Sequence, residues 1–171
     1  MWITIGILAL AYLVGAIPFA NIVAHVAAGV DLRDVGSHTS GESNLFSVAG
    51  FPAMAIAGIG DVGKGAVGPG VAIWLNQPPA VSVLAGALAV IGHNWSVFHH
   101  WAGGRGLSAA MGVGLVLAWP ATVLIALGMI IGRLLRATAP GSFVALLLLV
   151  PVLWLTYGGY GTAVGVALLV P

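Results

Sequence analysis

The chain has 171 residues, 60% of them hydrophobic, with five basic and four acidic side chains, no cysteine and a formal net charge of +1. That is far too little charge to coat a soluble protein and too little net positive charge for a nucleic-acid partner, and there is no thiol for disulfide or cysteine chemistry. With a mean hydropathy of +1.12, the sequence reads as an all-α, polytopic membrane bundle forming a single membrane-embedded domain over residues 1–171.

A helix needs about 20 apolar residues to cross the hydrocarbon. Trp2 to about Ala28 supplies a first span, too long for a signal-peptide core and lacking a basic flank. A polar connection from Gly29 to Ser47 follows. Phe51 to Leu75 is a second span that contains Asp61 and Lys64, and "NQPP" ends it. A third runs from about Ala80 to Phe98, closed by "HHWAGGRG". Leu107 to Leu135 is too long for one crossing and is punctuated at Pro120, which predicts two short helices. Gly141 to Tyr157 is a sixth span, and about a dozen residues from Tyr160 onward make a short seventh that reads as truncated at Pro171.

The charged side chains outside the spans sit in alternate connections: Asp31, Arg33, Asp34 and Glu42 in the first, Arg105 in the third, Arg133 and Arg136 in the fifth. By the positive-inside rule these connections face the cytoplasm and the N-terminus lies outside. No internal repeat of 20 to 50 residues is visible, and polar groups gather at one surface rather than at the midplane. That distribution favours surface chemistry over a small transporter.

Three polar stretches carry that chemistry. In "DLRDVGSHTSGESN", Gly36 and Gly41 permit backbone N–H groups to converge on an anion. Ser37, Thr39, Ser40, Ser43 and Asn44 add neutral donors, and Arg33 adds charge. The plain alternative is a flexible Gly/Ser connection. In "GDVGKG", Asp61 and Lys64 stand three apart inside a span, where charges pair or line a polar cavity. Either they neutralise each other, or Lys64 faces a phosphate while Asp61 orients it. In "GHNWSVFHHWAGGRG", His93 and Asn94 end a span, Gly103 and Gly104 admit a ligand to the backbone, and Arg105 offers a forked donor. His99, His100 and Trp101 also read as interfacial residues. No metal site is expected from His93, His99 and His100, because the helical i, i+4 pair and a carboxylate partner are missing. His25 reads as structural, and Arg133 and Arg136 as snorkelling anchors. Together the stretches point to a phosphorylated ligand handled at a membrane surface.

"YLVGAIPFANIVA", "GVDLRDVGSHTSGESNLFSVAG", "GDVGKG" and "GHNWSVFHHWAGGRGLSAAMGV", in that order and spacing, resemble the bacterial acyl-phosphate:glycerol-3-phosphate acyltransferase family, PlsY. The likeness runs from the first span to about Ser142. It implies a seven-helix enzyme of the bacterial inner membrane, acting in phospholipid biosynthesis. Acyl phosphate would be donor and the 1-hydroxyl of glycerol 3-phosphate acceptor, giving lysophosphatidic acid and phosphate. No cofactor, metal or obligate protein partner is implied beyond the substrates and the bilayer. By motif position, Gly36, Ser37, Gly41 and Asn44 would hold phosphate, Lys64 and Arg105 would supply charge, and His93 and Ser142 also fall on motif positions. The expected catalytic set is therefore Ser37, His93, Arg105 and Ser142, with Arg33, Gly36, Gly41, Asn44, Lys64, Asn94, Gly103 and Gly104 binding substrate.

The chain departs from the family's pattern in four places. Ala16 replaces a serine, Thr39 an asparagine, Glu42 a small residue and Ser47 an arginine of the phosphate site. The family's C-terminal segment with histidine, asparagine and glutamate has no counterpart before Pro171. Glu42 beside a phosphate would repel it unless a cation such as Arg33 paired with it. A non-catalytic protein that binds a phosphorylated lipid is the alternative these departures leave open.

Overall fold

The computed structural model describes residues 1–136 and 138–169; Pro171, where the sequence ends, lies outside them. The described chain is helical: α1 (Trp2–Gly15), α2 (Phe19–Ala28), α3 (Glu42–Trp74), α4 (Pro79–Asn94), α5 (Leu107–Leu117), α6 (Trp119–Leu134) and α7 (Thr138–Leu168), with a 3₁₀ turn at Val97–His99. Residues 2–28, 42–74, 79–99 and 139–168 are long and apolar enough to cross a membrane, while α5 and α6 are shorter apolar helices.

The expected first span is present, but its helix is interrupted. Pro18 cannot donate to a helical carbonyl and restricts the residue before it, so α1 ends at Gly15 and α2 begins at Phe19. The expected polar connection is shorter than Gly29–Ser47, because α3 already starts at Glu42. That helix breaks at Gly50, whose φ of 76° and ψ of −175° are not helical. Phe51 onward then matches the expected second span. The predicted split near Pro120 falls at Ala118, between α5 and α6. The predicted break in "YGGYG" appears as a non-helical Gly158 within α7, with φ 60°.

In lipid the hydrophobic effect does not drive helices together, so close packing of small residues must. The buried interior is accordingly rich in alanine: Ala11, Ala57, Ala85, Ala89, Ala109, Ala110 and Ala121 are fully enclosed. Ile3, Ile59, Trp74, Leu115, Trp119, Leu134 and Leu155 face outward, as a lipid-facing surface requires. Glycines set the closest contacts. A Cβ on Gly15 would meet the backbone of Ala89, one on Gly65 that of Ala109, and one on Gly141 those of Gly128 and Gly132. These contacts lock α1 to α4, α3 to α5 and α6 to α7, pairs that pack along their lengths.

Candidate active site

The break between α1 and α2 leaves carbonyls without intrahelical partners, and two side chains from distant elements take them. Lys64 Nζ on α3 donates to Ile17 O at 2.6 Å, and Ser96 Oγ donates to Ala16 O. Lys64 also meets Asp61 Oδ1 at 2.7 Å, both side chains being 2% exposed, and sits 5.9 Å from the Phe19 ring centroid. The positive ammonium thus lies at the C-terminal end of α1, where the helix dipole is negative. His93 on α4 brings Nδ1 to 3.6 Å from Asp61 Oδ1.

Glu42 joins this group by way of Gly50. On one straight helix, 19 residues would hold Glu42 about 28 Å from Asp61. With the chain turned at Gly50, Glu42 accepts a hydrogen bond from Ser108 Oγ on α5 and lies in electrostatic contact with Asp61, Lys64 and His93. Two carboxylates, one ammonium and one imidazole therefore share a cluster in which Asp61, Lys64 and His93 are buried and Glu42 is half-buried. Glu42's partner is Ser108 and not Arg33.

The loop of residues 29–41 is tied by Asn44. Its Nδ2 donates to Leu32 O at 2.8 Å and to Val35 O and Thr39 O at 3.0 Å. Its Oδ1 accepts from Ser37 N at 3.0 Å. Asn44, expected to bind phosphate, has its amide committed to the loop's own backbone here, and it shapes the loop. Gly36 has φ 61°, and a Cβ there would collide with Asn44 Oδ1, so glycine is required twice over. Arg33 is also committed. Its Nη2 meets Asp31 Oδ2 at 2.6 Å and its Nε meets Asp31 Oδ1 at 3.0 Å. Arg33 in turn holds the Asp31 carboxyl well below the usual carboxylate range. Ser37 is exposed, with its Oγ 3.0 Å from Thr39 Oγ1.

The second loop is built differently. His100 and Trp101 both adopt positive φ, 54° and 63°, and the chain returns so that Gly103 and Gly104 lie on His93. A Cβ on Gly103 would strike His93 O, and one on Gly104 would strike His93 Nε2. Arg105 is exposed and makes no ion pair among the described residues. It lines a pocket of about 450 Å³ with Asn94, Gly104, Leu107, Ser142, Phe143 and Leu146. A second, much smaller cavity is lined by Ser40, Asp61, Lys64, His93, Ser96, Gly103 and Gly104, among others. Gly104 belongs to the wall of both, so an apolar pocket with a cationic edge abuts the buried polar cluster.

Of the residues expected from sequence, Asn94, Gly104, Arg105 and Ser142 meet at the larger pocket. Lys64, His93, Gly103 and Gly104 meet at the smaller one. Ser37 and Gly36 line neither, and their loop reaches the cluster through Ser40 and Glu42. Sequence reasoning passed over Ser96 and Ser108. The available signal was Pro18, since a proline inside a span frees carbonyls that buried donors must then satisfy. No group of three or more His, Asp or Glu side chains suited to a metal ion occurs among the described residues.

Known proteins resemble this chain over most of its length. The family model described as glycerol-3-phosphate acyltransferase matches residues 5–170. A glycerol-3-phosphate acyltransferase of Dehalococcoides mccartyi is 39% identical over 133 residues, covering 77% of this chain and 57% of the relative. One of Synechococcus is 36% identical over 162 residues, covering 94% and 80%. The chain thus spans little more than half the length of the Dehalococcoides relative. The crystal structure of PlsY (YgiH), an integral membrane glycerol 3-phosphate acyltransferase, in its glycerol 3-phosphate form superposes with a TM-score of 0.83 at 24% identity, covering 96% of this chain and 86% of that one. That likeness supports the fold, a helical membrane bundle. On the match to residues 5–170 and the relatives that share it, the chain belongs to the glycerol-3-phosphate acyltransferase family.

Proposed function

We propose that the chain transfers an acyl group from acyl phosphate to the 1-hydroxyl of glycerol 3-phosphate, releasing lysophosphatidic acid and inorganic phosphate. The observation that carries this reading is the pocket of about 450 Å³, whose apolar wall of Leu107, Phe143 and Leu146 ends at Arg105, Asn94 and Gly104. A fatty chain suits the wall, and a phosphate suits the guanidinium and the backbone beside it. The relatives are named glycerol-3-phosphate acyltransferases, and PlsY is known in glycerol 3-phosphate and lysophosphatidic acid forms; these names support glycerol 3-phosphate as the acceptor and lysophosphatidic acid as the product here.

In this reading the 1-hydroxyl oxygen forms the new ester bond as the acyl–phosphate C–O bond breaks; phosphate leaves with the electron pair, and the hydroxyl proton ends on the released hydrogen phosphate. Arg105 and the Gly103–Gly104 backbone stabilise the charge that develops. Asn94 and Ser142 line the reacting end of the acyl pocket, while Ser37, Gly36 and Gly41 offer donors from the first loop. Lys64 acts from behind, through Asp61 and the α1 terminus. The protein would be a single domain in the bacterial inner membrane, crossing seven times with its N-terminus outside and these loops cytoplasmic.

Purified protein in detergent, given acyl phosphate and glycerol 3-phosphate, should release phosphate. Folded protein that releases no more than its Arg105→Ala variant would refute the enzyme reading. A second reading, a family-derived protein that binds a phosphorylated lipid without turnover, is favoured by one observation: Arg33 and Lys64 are already paired with carboxylates. It predicts saturable lysophosphatidic acid binding with no phosphate release.

A further inference from the structure

Three residues that carry unpartnered buried polar atoms line one small cavity. Ser40 Oγ and His93 Nδ1 are fully enclosed and have no hydrogen-bond partner among the described residues. Asp61 Oδ1 is enclosed too, and although Lys64 Nζ lies 2.7 Å away, it accepts no well-formed hydrogen bond. All three residues line the cavity that Ala16, Pro18, Ser96, Gly103 and Gly104 also bound. The three come from different parts of the chain: the end of the first loop, the middle of α3 and the end of α4. Buried polar groups left without partners are costly, and a group of them around one space requires a common partner.

The cavity offers about 10 Å³, close to the roughly 10–15 Å³ that one water needs. It is too small for a phosphate or an alcohol. A cation there would face the Lys64 ammonium, which shares the lining. The 3.6 Å gap between His93 Nδ1 and Asp61 Oδ1 is too long for a direct hydrogen bond and suits a bridge through one water.

We infer that this cavity is a site for one structural water that joins Ser40, Asp61 and His93 and thereby ties the first loop to the His93–Gly104 wall. The hydrogen bonds balance. The water donates one hydrogen to Asp61 Oδ1, accepts from Ser40 Oγ–H and from His93 Nδ1–H, and keeps its second hydrogen for a backbone carbonyl of the lining. An ionised carboxylate only accepts hydrogen bonds, so its nearness favours the proton on Nδ1. Glu42 and Lys64, the other charged groups facing His93, lie on α3 with Asp61. The Nδ1–H tautomer leaves the Nε2 lone pair directed at Gly104, on the wall shared with the larger pocket. Ser40 and Asp61 are then positioning residues that act through His93. The bridging water is independent of the acyl-transfer reading.

Two measurements test the site, and neither uses substrate. Histidine ¹⁵N spectra of the purified protein, with His93 assigned by His93→Gln, should show a protonated Nδ1 and an unprotonated Nε2. A crystal structure fine enough to show waters should place one within hydrogen-bond distance of Ser40 Oγ, Asp61 Oδ1 and His93 Nδ1. Ser40→Val, which fills the cavity, should shift the His93 Nδ1 resonance. A protonated Nε2, a cavity without solvent density, or a His93 signal indifferent to Ser40→Val would each overturn the inference. If Ser40→Val does not fold, the tautomer and the density of the unaltered protein still decide. Phosphate release enters neither readout, so failure of the water site and failure of acyl transfer are separately visible.

Discussion

The two polar loops contrast in what they do with their donors. Residues 29–41 carry more hydroxyls and charges than any other connection, yet most of that polarity turns inward: Asn44 binds three carbonyls, Arg33 clasps Asp31, and Ser37 meets Thr39. The loop around Gly103–Arg105 has fewer polar side chains. Its shape comes from glycines pressed against His93, and its cation has no acidic partner among the described residues. Buried polar groups are hydrogen-bonded, and side chains bond the backbone more often than one another, so the abundance of donors in a loop is a poor guide to how many remain for a ligand. A single cation beside an apolar pocket is the better guide.

The contrast can be broken most severely at the cluster beneath both loops. Lys64→Met would leave Asp61 buried without its counter-charge and Ile17 O with the Phe19 N–H as its one remaining donor among the described residues. It should cost about 3–5 kcal/mol, read as a large fall in thermal midpoint in detergent. The double variant Asp61→Asn/Lys64→Met should recover part of that loss; a Lys64→Met protein as stable as the parent would contradict the capping role.

Next comes the first loop itself. Asn44→Ala removes the donor shared by Leu32, Val35 and Thr39 and should cost about 1–3 kcal/mol. Hydrogen exchange should quicken at Ser37, whose N–H loses its acceptor, while amides of α5 and α6 stay protected. Uniform loosening of the whole bundle would show that Asn44 is not a local tie.

Arg105→Ala sharpens the comparison from the other side. An exposed side chain with no ion pair should change stability by less than about 0.5 kcal/mol. Losing a charge-assisted contact to phosphate, about 1.5–3 kcal/mol, should lower phosphate release roughly 10- to 100-fold. Undiminished release would remove Arg105 from the site.

The smallest effect concerns Asp31. Its carboxyl titrates below its unfolded value because Arg33 favours the ionised form. The stabilisation from this pair is therefore fully present above about pH 4, the ordinary carboxylate range, and is lost only as pH falls toward the lowered folded value. Asp31→Asn should flatten that acid limb of a stability-versus-pH curve and leave neutral pH nearly unchanged, since the pair is partly exposed. A difference that grew above pH 6 would have the wrong sign for this pair.

Much of the fold was legible because its signals are local. Apolar runs marked the membrane segments, Pro120 and the Gly158 region marked breaks, and the order of "GSHTSGESN", "GDVGKG" and "HHWAGGRG" identified the family. Pro18 lies inside a run that is one span by hydropathy, which averages over a single proline and so does not show the interruption of the helix. Glu42 was read as a misplaced charge because nothing in the linear order brings it to Ser108.

By itself the sequence determined the solvent, the helical class and the set of side chains available for phosphate chemistry, since these depend on composition and on spacing within one element. Only the tertiary structure decided which of those side chains are committed. The turn at Gly50 carries Glu42 into the Asp61–Lys64–His93 cluster, the break at Pro18 claims Lys64 and Ser96, and the approach of Gly104 to His93 joins the polar cavity to the apolar pocket. Each of these couples residues far apart in the chain, and a buried donor goes to whichever acceptor the packed helices bring within about 3 Å.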